Sequence, residues 1–252
     1  MNIRDNDPIC AEIDGGLLYG QQILSYCGSR ISTWCNSLVW RCPNSRIVKC
    51  YNENIGARHL EVGARSAWFL EQASLPTATE IDILCLKKQK VLATKEHLTE
   101  QGLATRVCIG SVMAPIAPSM GYFDSIAASF VFHRLPGTWS EKRLAIRHIS
   151  HALKEDGVFF GATILGAGVR HNLLGRTLCD IFNSRLGGFH NSCDDKAGLV
   201  DALEASFEEV DVAVEGSTAK FIARRPHEPD ETRVSPYPYC VGSDLLVCPG
   251  QL

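Results

Sequence analysis

From His59 onward, apolar residues fall in short runs separated by stretches where they recur every three or four positions. The runs HLEVGA, EIDILCL, TRVCIGSV, FDSIAASFVF and GVFFGATIL read as strands. SAWFLEQA, KVLATKEHLTEQG and the segment from Ser140 to Lys154 read as helices between them. Such alternation predicts βαβ units and a mostly parallel, doubly wound α/β sheet covered on both faces. KEDG is expected to stop the helix that precedes GVFFGATIL. Further helices are expected over Asn172 to Asn183 and Lys196 to Phe207, then a terminal hairpin turning at Gly216.

Before the sheet the pattern is weaker. Gly16 to Tyr26 and Ile31 to Val39 are faintly helical, and Pro43 opens a helix that places Ile47, Val48 and Tyr51 on one face. Residues 1–56 are therefore expected to form a helical cap, residues 57–225 the α/β domain, and the proline-rich residues 226–252 a tail laid over it or loosely ordered.

Bulk composition narrows the function classes. The chain has 252 residues, 45% of them hydrophobic and 21% charged, with a formal net charge of -3. That balance supplies no excess of lysine and arginine for tracking phosphates, so no nucleic-acid partner is expected. MNIRDNDPICAEIDGG lacks the basic start and apolar stretch of a signal peptide, and no segment reaches the length of an apolar membrane span. A cytoplasmic protein with no membrane partner is expected, and a homo-oligomer is left open. The eleven cysteines are odd in number and show no zinc spacing, which points to buried thiols and no metal site.

The order strand, glycine turn, helix, strand, helix, strand resembles the class I S-adenosylmethionine-dependent methyltransferases over roughly Trp40 to Arg225. The segments WRCP, FDSIAASFVFHRLPG and LKEDGVFFGATILG resemble a small-molecule branch of that superfamily. The resemblance implies a Rossmann-like methyltransferase fold and three cofactor contacts, each with a legible position. After strand one, where the family carries an acidic residue and a G-x-G-x-G turn, Glu61 and Gly63 remain, but Arg65 and Ala67 replace the second and third glycines. Cys85 stands where an acidic residue would receive the ribose hydroxyls, with Asp82 three residues too early to replace it. Ser111 stands where an Asp or Asn would meet the adenine. The site is thus expected to be degenerate, with no cofactor retained; S-adenosylmethionine is the alternative.

Ligands of such sheets lie at the carboxyl ends of the strands. That places His133 and Arg134 after strand four, and Arg170, His171 and Asn172 after strand five, at one rim. His133, Arg134 and His171 are candidate catalytic donors, with Arg170 and Asn172 as substrate contacts. Tyr19, Trp34 and Trp40 offer planar surfaces for an apolar small molecule. His59, His97, His148, His151, His190 and His227 have no evident site partners in sequence. Some methyltransferase-like proteins of secondary metabolism guide cyclisations without methylating, and this chain resembles them. The expected activity is a cofactor-independent cyclase or isomerase, in its most specific form an intramolecular Diels-Alder or other pericyclic reaction on a polyketide or terpenoid. An ordinary small-molecule methyltransferase and a non-catalytic partner of another enzyme are the alternatives.

Overall fold

The computed structural model describes residues 35–228, except 64–66, 77, 87 and 118–119, together with 246–247. The expectations for Tyr19, Trp34 and Arg65, for the helix at Gly16 to Tyr26, and for most of the tail lie outside the described residues.

Eight strands form one sheet in the order β6-β7-β5-β4-β1-β2-β3-β8. They are β1 (Arg58–Val62), β2 (Glu80–Cys85), β3 (Ala104–Ile109), β4 (Phe123–Ser129), β5 (Leu153–Ile164), β6 (Phe207–Glu215), β7 (Thr218–Pro226) and the two-residue β8 (Leu246–Val247). β1 to β5 run parallel, and β8 lies parallel to β3. β7 pairs antiparallel with both β5 and β6, forming the hairpin expected around Gly216, which has φ 62°. β1 pairs β2 on one side and β4 on the other, so the chain reverses direction across the sheet at this point. A crevice opens at the carboxyl ends of strands at such a reversal.

The two faces bury different helices. Leu60 and Val62 of β1 join Ile126, Phe159 and a layer from α4 (Trp139–Ser150) and α6 (Lys196–Glu204), including Ile146, Ile149 and Leu203. The opposite face carries Ile81, Ile83, Ala127 and Phe160 under α1 (Asn44–Asn54), α2 (Ala67–Gln72) and α3 (Lys88–Glu100). Alternation along each strand produces this division, because successive side chains leave a strand on opposite sides. Helix α1, expected within a cap, is one of these covering layers: Ile47 and Tyr51 are fully buried against the sheet. Among the described residues, no helix is long and apolar enough to cross a membrane.

Two boundaries differ from the sequence reading. KEDG does not end a helix; α4 stops at Ser150, and Lys154 to Gly157 lie within β5 as an irregularity whose first three residues are exposed. There the β4 register jumps from Phe123 opposite Leu153 to Ser125 opposite Val158. The polar residues of the insertion face solvent, and Lys154 Nζ bonds Asp124 Oδ1 at 2.5 Å. α4 also begins one residue before Ser140, the start expected from the pattern. Thr138 is its N-cap, and Glu141 reaches back to the Thr138 backbone N–H at 2.7 Å, completing a capping box.

Candidate active site

The carboxyl end of β1 turns at Gly63, whose φ of 95° lies in the left-handed region that a side chain would strain. Its N–H donates to Leu84 O at 2.8 Å, tying the turn to β2. Ala67 opens α2 just beyond. β2 ends at Cys85, a buried thiol, whose backbone carbonyl accepts from Gly110 N at 3.0 Å. Asp82 is held further back, with Arg106 Nε and Nη2 on its two oxygens at 2.7 and 2.8 Å and Arg58 within 3.6 Å. Ser111 follows β3, and its hydroxyl accepts from Met113 N at 3.1 Å in a local turn.

β4 ends at a strained residue. Phe130 has φ 60°, uncommon for a bulky side chain and concentrated at ligand sites when it occurs. Its ring stacks on Phe69 at 5.9 Å and meets His133 edge-on at 6.2 Å. His133 sits in the 3-10 turn Phe132–Arg134 and is buried, and its carbonyl accepts from His190 N at 2.8 Å.

From His133 a row of aromatic rings leads to the loop after β5. His133 contacts Phe189 at 4.5 Å, Phe189 contacts Trp40 at 6.0 Å, and Trp40 contacts His171 edge-on at 6.4 Å. The two histidines therefore stand in one wall with two rings between them rather than side by side. Trp40 is only 5% exposed and packs with Val39, Ile164 and Cys179, so its indole backs the wall instead of offering an open surface. Asn172 is the N-cap of α5 (Leu173–Ser184): its Oδ1 accepts from Gly175 N at 2.7 Å, and its Nδ2 donates to Leu38 O at 2.6 Å. Both ends of that amide are engaged structurally.

Beside this wall lies a cleft of ≈ 450 Å³ lined by Gly166, Val169, Arg170, His171, Arg176, Cys179 and Asp180. Burial pushes the Cys179 thiol up to about 11, with Asp180 adding to the shift, so the group is not a thiolate nucleophile near neutral pH. Both ring nitrogens of His171 are buried without a hydrogen-bond partner among the described residues. No group of three or more histidine, cysteine or carboxylate side chains suited to a metal occurs among the described residues. His148, one of the histidines with no evident site partner in sequence, places Nδ1 3.1 Å from Val112 O.

Sequence reasoning missed a polar cluster beneath the turn. His59, read as having no site partner, places Nδ1 2.8 Å from Ser125 Oγ and Nε2 3.3 Å from Glu61 Oε2. The Tyr51 hydroxyl donates to Glu61 Oε1 at 3.0 Å and lies 3.1 Å from Ser129 Oγ. Burial and the neighbouring carboxylate hold the Tyr51 phenol well above its ordinary pKa. Period-two spacing of His59 and Glu61 was the available signal; HLEV had been read as one apolar run. Arg176 was missed as well, although it lies one helical turn after the Asn172 cap.

No protein-family model matches the chain. An O-methyltransferase of Aspergillus niger is 33% identical over 183 residues, covering 70% of this chain and 94% of that protein. The chain belongs to the methyltransferase superfamily. A physcion biosynthesis cluster O-methyltransferase of Aspergillus chevalieri is likewise 33% identical, over 69% of this chain and 77% of its own length. Among solved structures, the N-methyltransferase NodS from Bradyrhizobium japonicum, in complex with S-adenosyl-l-homocysteine, aligns with a TM-score of 0.54 at 12% identity. It covers 73% of this chain and 86% of that one. The [4+2]-cyclase SpnF also aligns at 0.54, with 16% identity, over 72% of this chain and 80% of its own. These structural matches establish the methyltransferase fold. The mostly parallel sheet reversing at β1 and β4 is the arrangement expected from sequence.

Proposed function

We propose that this methyltransferase-fold protein works on a small molecule of secondary metabolism without S-adenosylmethionine, as a cyclase or isomerase. The observation that carries this reading is the end of β2. The ribose-binding position is the buried Cys85, a weak acceptor, and the nearby carboxylate, Asp82, is clamped by two arginines. Ser111 uses its hydroxyl in its own turn, and the sequence has Arg65 and Ala67 where glycines would let backbone approach a ligand. These residues do not fit the cofactor. Each lost contact costs about 1–2 kcal/mol, and together they weaken binding by roughly two to four orders of magnitude.

A cyclisation rearranges bonds within one molecule, so atoms and electrons balance with no donor. Its demands on the protein are a cavity that holds the reacting ends together and a hydrogen-bond donor where charge develops. The cleft at Gly166 to Asp180 is of ligand size, and His171, which lines it, is the proposed donor; His133 and Arg134, the other candidates from sequence, lie outside its lining. That SpnF, named as a [4+2]-cyclase, shares this fold supports the pairing of scaffold and reaction. A Diels-Alder or other pericyclic step on a polyketide or terpenoid is the specific form of the proposal.

Methyl transfer is the second reading, favoured by the names of the relatives, which are O-methyltransferases. Calorimetric titration of S-adenosylmethionine separates the two. We expect no binding at millimolar ligand, whereas a micromolar isotherm would overturn the cofactor-free reading. A thermal shift gives an independent measure, because a ligand at a hundred times its Kd adds about 2.7 kcal/mol of stability. Metabolite profiling after gene deletion should show an uncyclised precursor; an unmethylated analogue of the final product would favour the second reading.

A further inference from the structure

We infer that the cleft between the loop after β5 and helix α5 binds the acid group of its small-molecule substrate, so that the substrate is an organic anion rather than a neutral apolar compound. This deepens the proposed function, but it rests on the cleft alone. Arg170 and Arg176 both line it, against a single carboxylate from Asp180. Arg41 lies outside the lining, its Nη2 donating to the backbone carbonyl of Arg170. None of the ion pairs formed among the described residues involves Arg41, Arg170 or Arg176. Two guanidinium groups thus line one cleft in a chain whose net charge is -3.

Two further features favour negative charge at the same place. Helix α5 has twelve residues and begins at Leu173, so the positive end of its dipole lies beside Arg170 and Arg176. His171 lines the cleft, and both its ring nitrogens are buried with no hydrogen-bond partner among the described residues, while an imidazole carries at least one N–H that needs an acceptor. Its ring meets Trp40 edge-on and lies over the first turn of α5; a Cβ added at Gly175 would come 3.6 Å from His171 Nδ1. Guanidinium groups bind two-oxygen anions by paired hydrogen bonds, which fits a carboxylate.

The test compares two fluorescent probes of nearly the same shape, 8-anilinonaphthalene-1-sulfonate and the neutral N-phenyl-1-naphthylamine. The expected result is saturable binding of the anionic probe, weakened at least tenfold in an Arg170→Gln/Arg176→Gln variant, with the neutral probe changed by less than twofold. Both arginines are exposed, and unchanged circular dichroism and melting temperature would verify the fold. Arg143→Gln on α4, outside the cleft lining, should leave both probes unaffected. His171→Phe should weaken the anionic probe and spare the neutral one. No saturable anionic binding, equal affinity in the double variant, or parallel loss of both probes would overturn the inference. The outcome is separable from the cofactor question, because micromolar S-adenosylmethionine binding would sink the cofactor-free reading without changing the charge dependence of the probes.

Discussion

Lys142 of α4 and Asp194 form an ion pair at 2.5 Å with side chains 0% and 1% exposed, and Lys142 Nζ also donates to His190 O at 2.7 Å. The backbone carbonyl of Asp194 accepts from Gly166 N and Ala167 N, and His190 N donates to His133 O. The pair therefore anchors the segment that shapes both the cleft and the His133 turn. Replacing Lys142 with Met strands a buried carboxylate, a loss of about 3–5 kcal/mol by comparison with other broken buried pairs. At about 2–4 °C per kcal/mol for a domain of this size, the melting temperature should fall by about 6–20 °C at pH 7. Burial already pushes the Asp194 carboxyl above its ordinary range, and Lys142 is the group that pulls it back. Without that lysine the folded-state value rises further. A carboxyl with a raised folded value stabilises the fold fully below the unfolded value of about 4 and loses this contribution as pH rises through the folded value. The deficit of Lys142→Met should accordingly shrink as pH falls from 7 toward 4, and Lys142→Met/Asp194→Asn, which removes the stranded charge, should recover at least half of it at pH 7. Thermal melts across that range are the assay. A pH 7 change under about 2 °C, or a deficit that grows on acidification, would refute the reasoning.

Two further substitutions probe the sheet beneath the site. Tyr51→Phe removes the hydroxyl that donates to the buried Glu61 and should cost about 1–3 kcal/mol in urea unfolding with the denaturant slope unchanged; a loss under about 0.5 kcal/mol would show that the cluster does not depend on the phenol. Gly161→Ala places a Cβ 2.3 Å from Ala128 O and 2.9 Å from Phe221 Cζ. Separating β4 from β5 by that much should cost about 3 kcal/mol or more, and a melting temperature within about 2 °C of the unmutated protein would contradict it.

The amino-acid order alone determined the fold class, since periods of two and of three to four residues are local and each predicts its own element. The strands β1 to β4, the hairpin at Gly216 and the helices α1, α2 and α3 could be read in this way. So could the position of Cys85 at the end of β2 and of Gly63 in the turn, because both follow from counting along a strand. The break at KEDG was misplaced because its charge and glycine look the same in a turn as in a solvent-facing irregularity of a long strand; only the Asp124–Lys154 contact across β4 and β5 distinguishes them. Helix α1 read as a cap because its amphipathic pattern does not say what it covers. Tertiary packing set that partner, and with it the burial of Tyr51 onto His59 and Glu61. The cleft is different: its lining falls within Gly166 to Asp180, and Arg170 and His171 could be placed at the rim from the strand-end rule alone. Only the contact that brings Arg41 to the carbonyl of Arg170 was beyond sequence, because a contact made by long-range closure leaves no periodic trace in the order of residues.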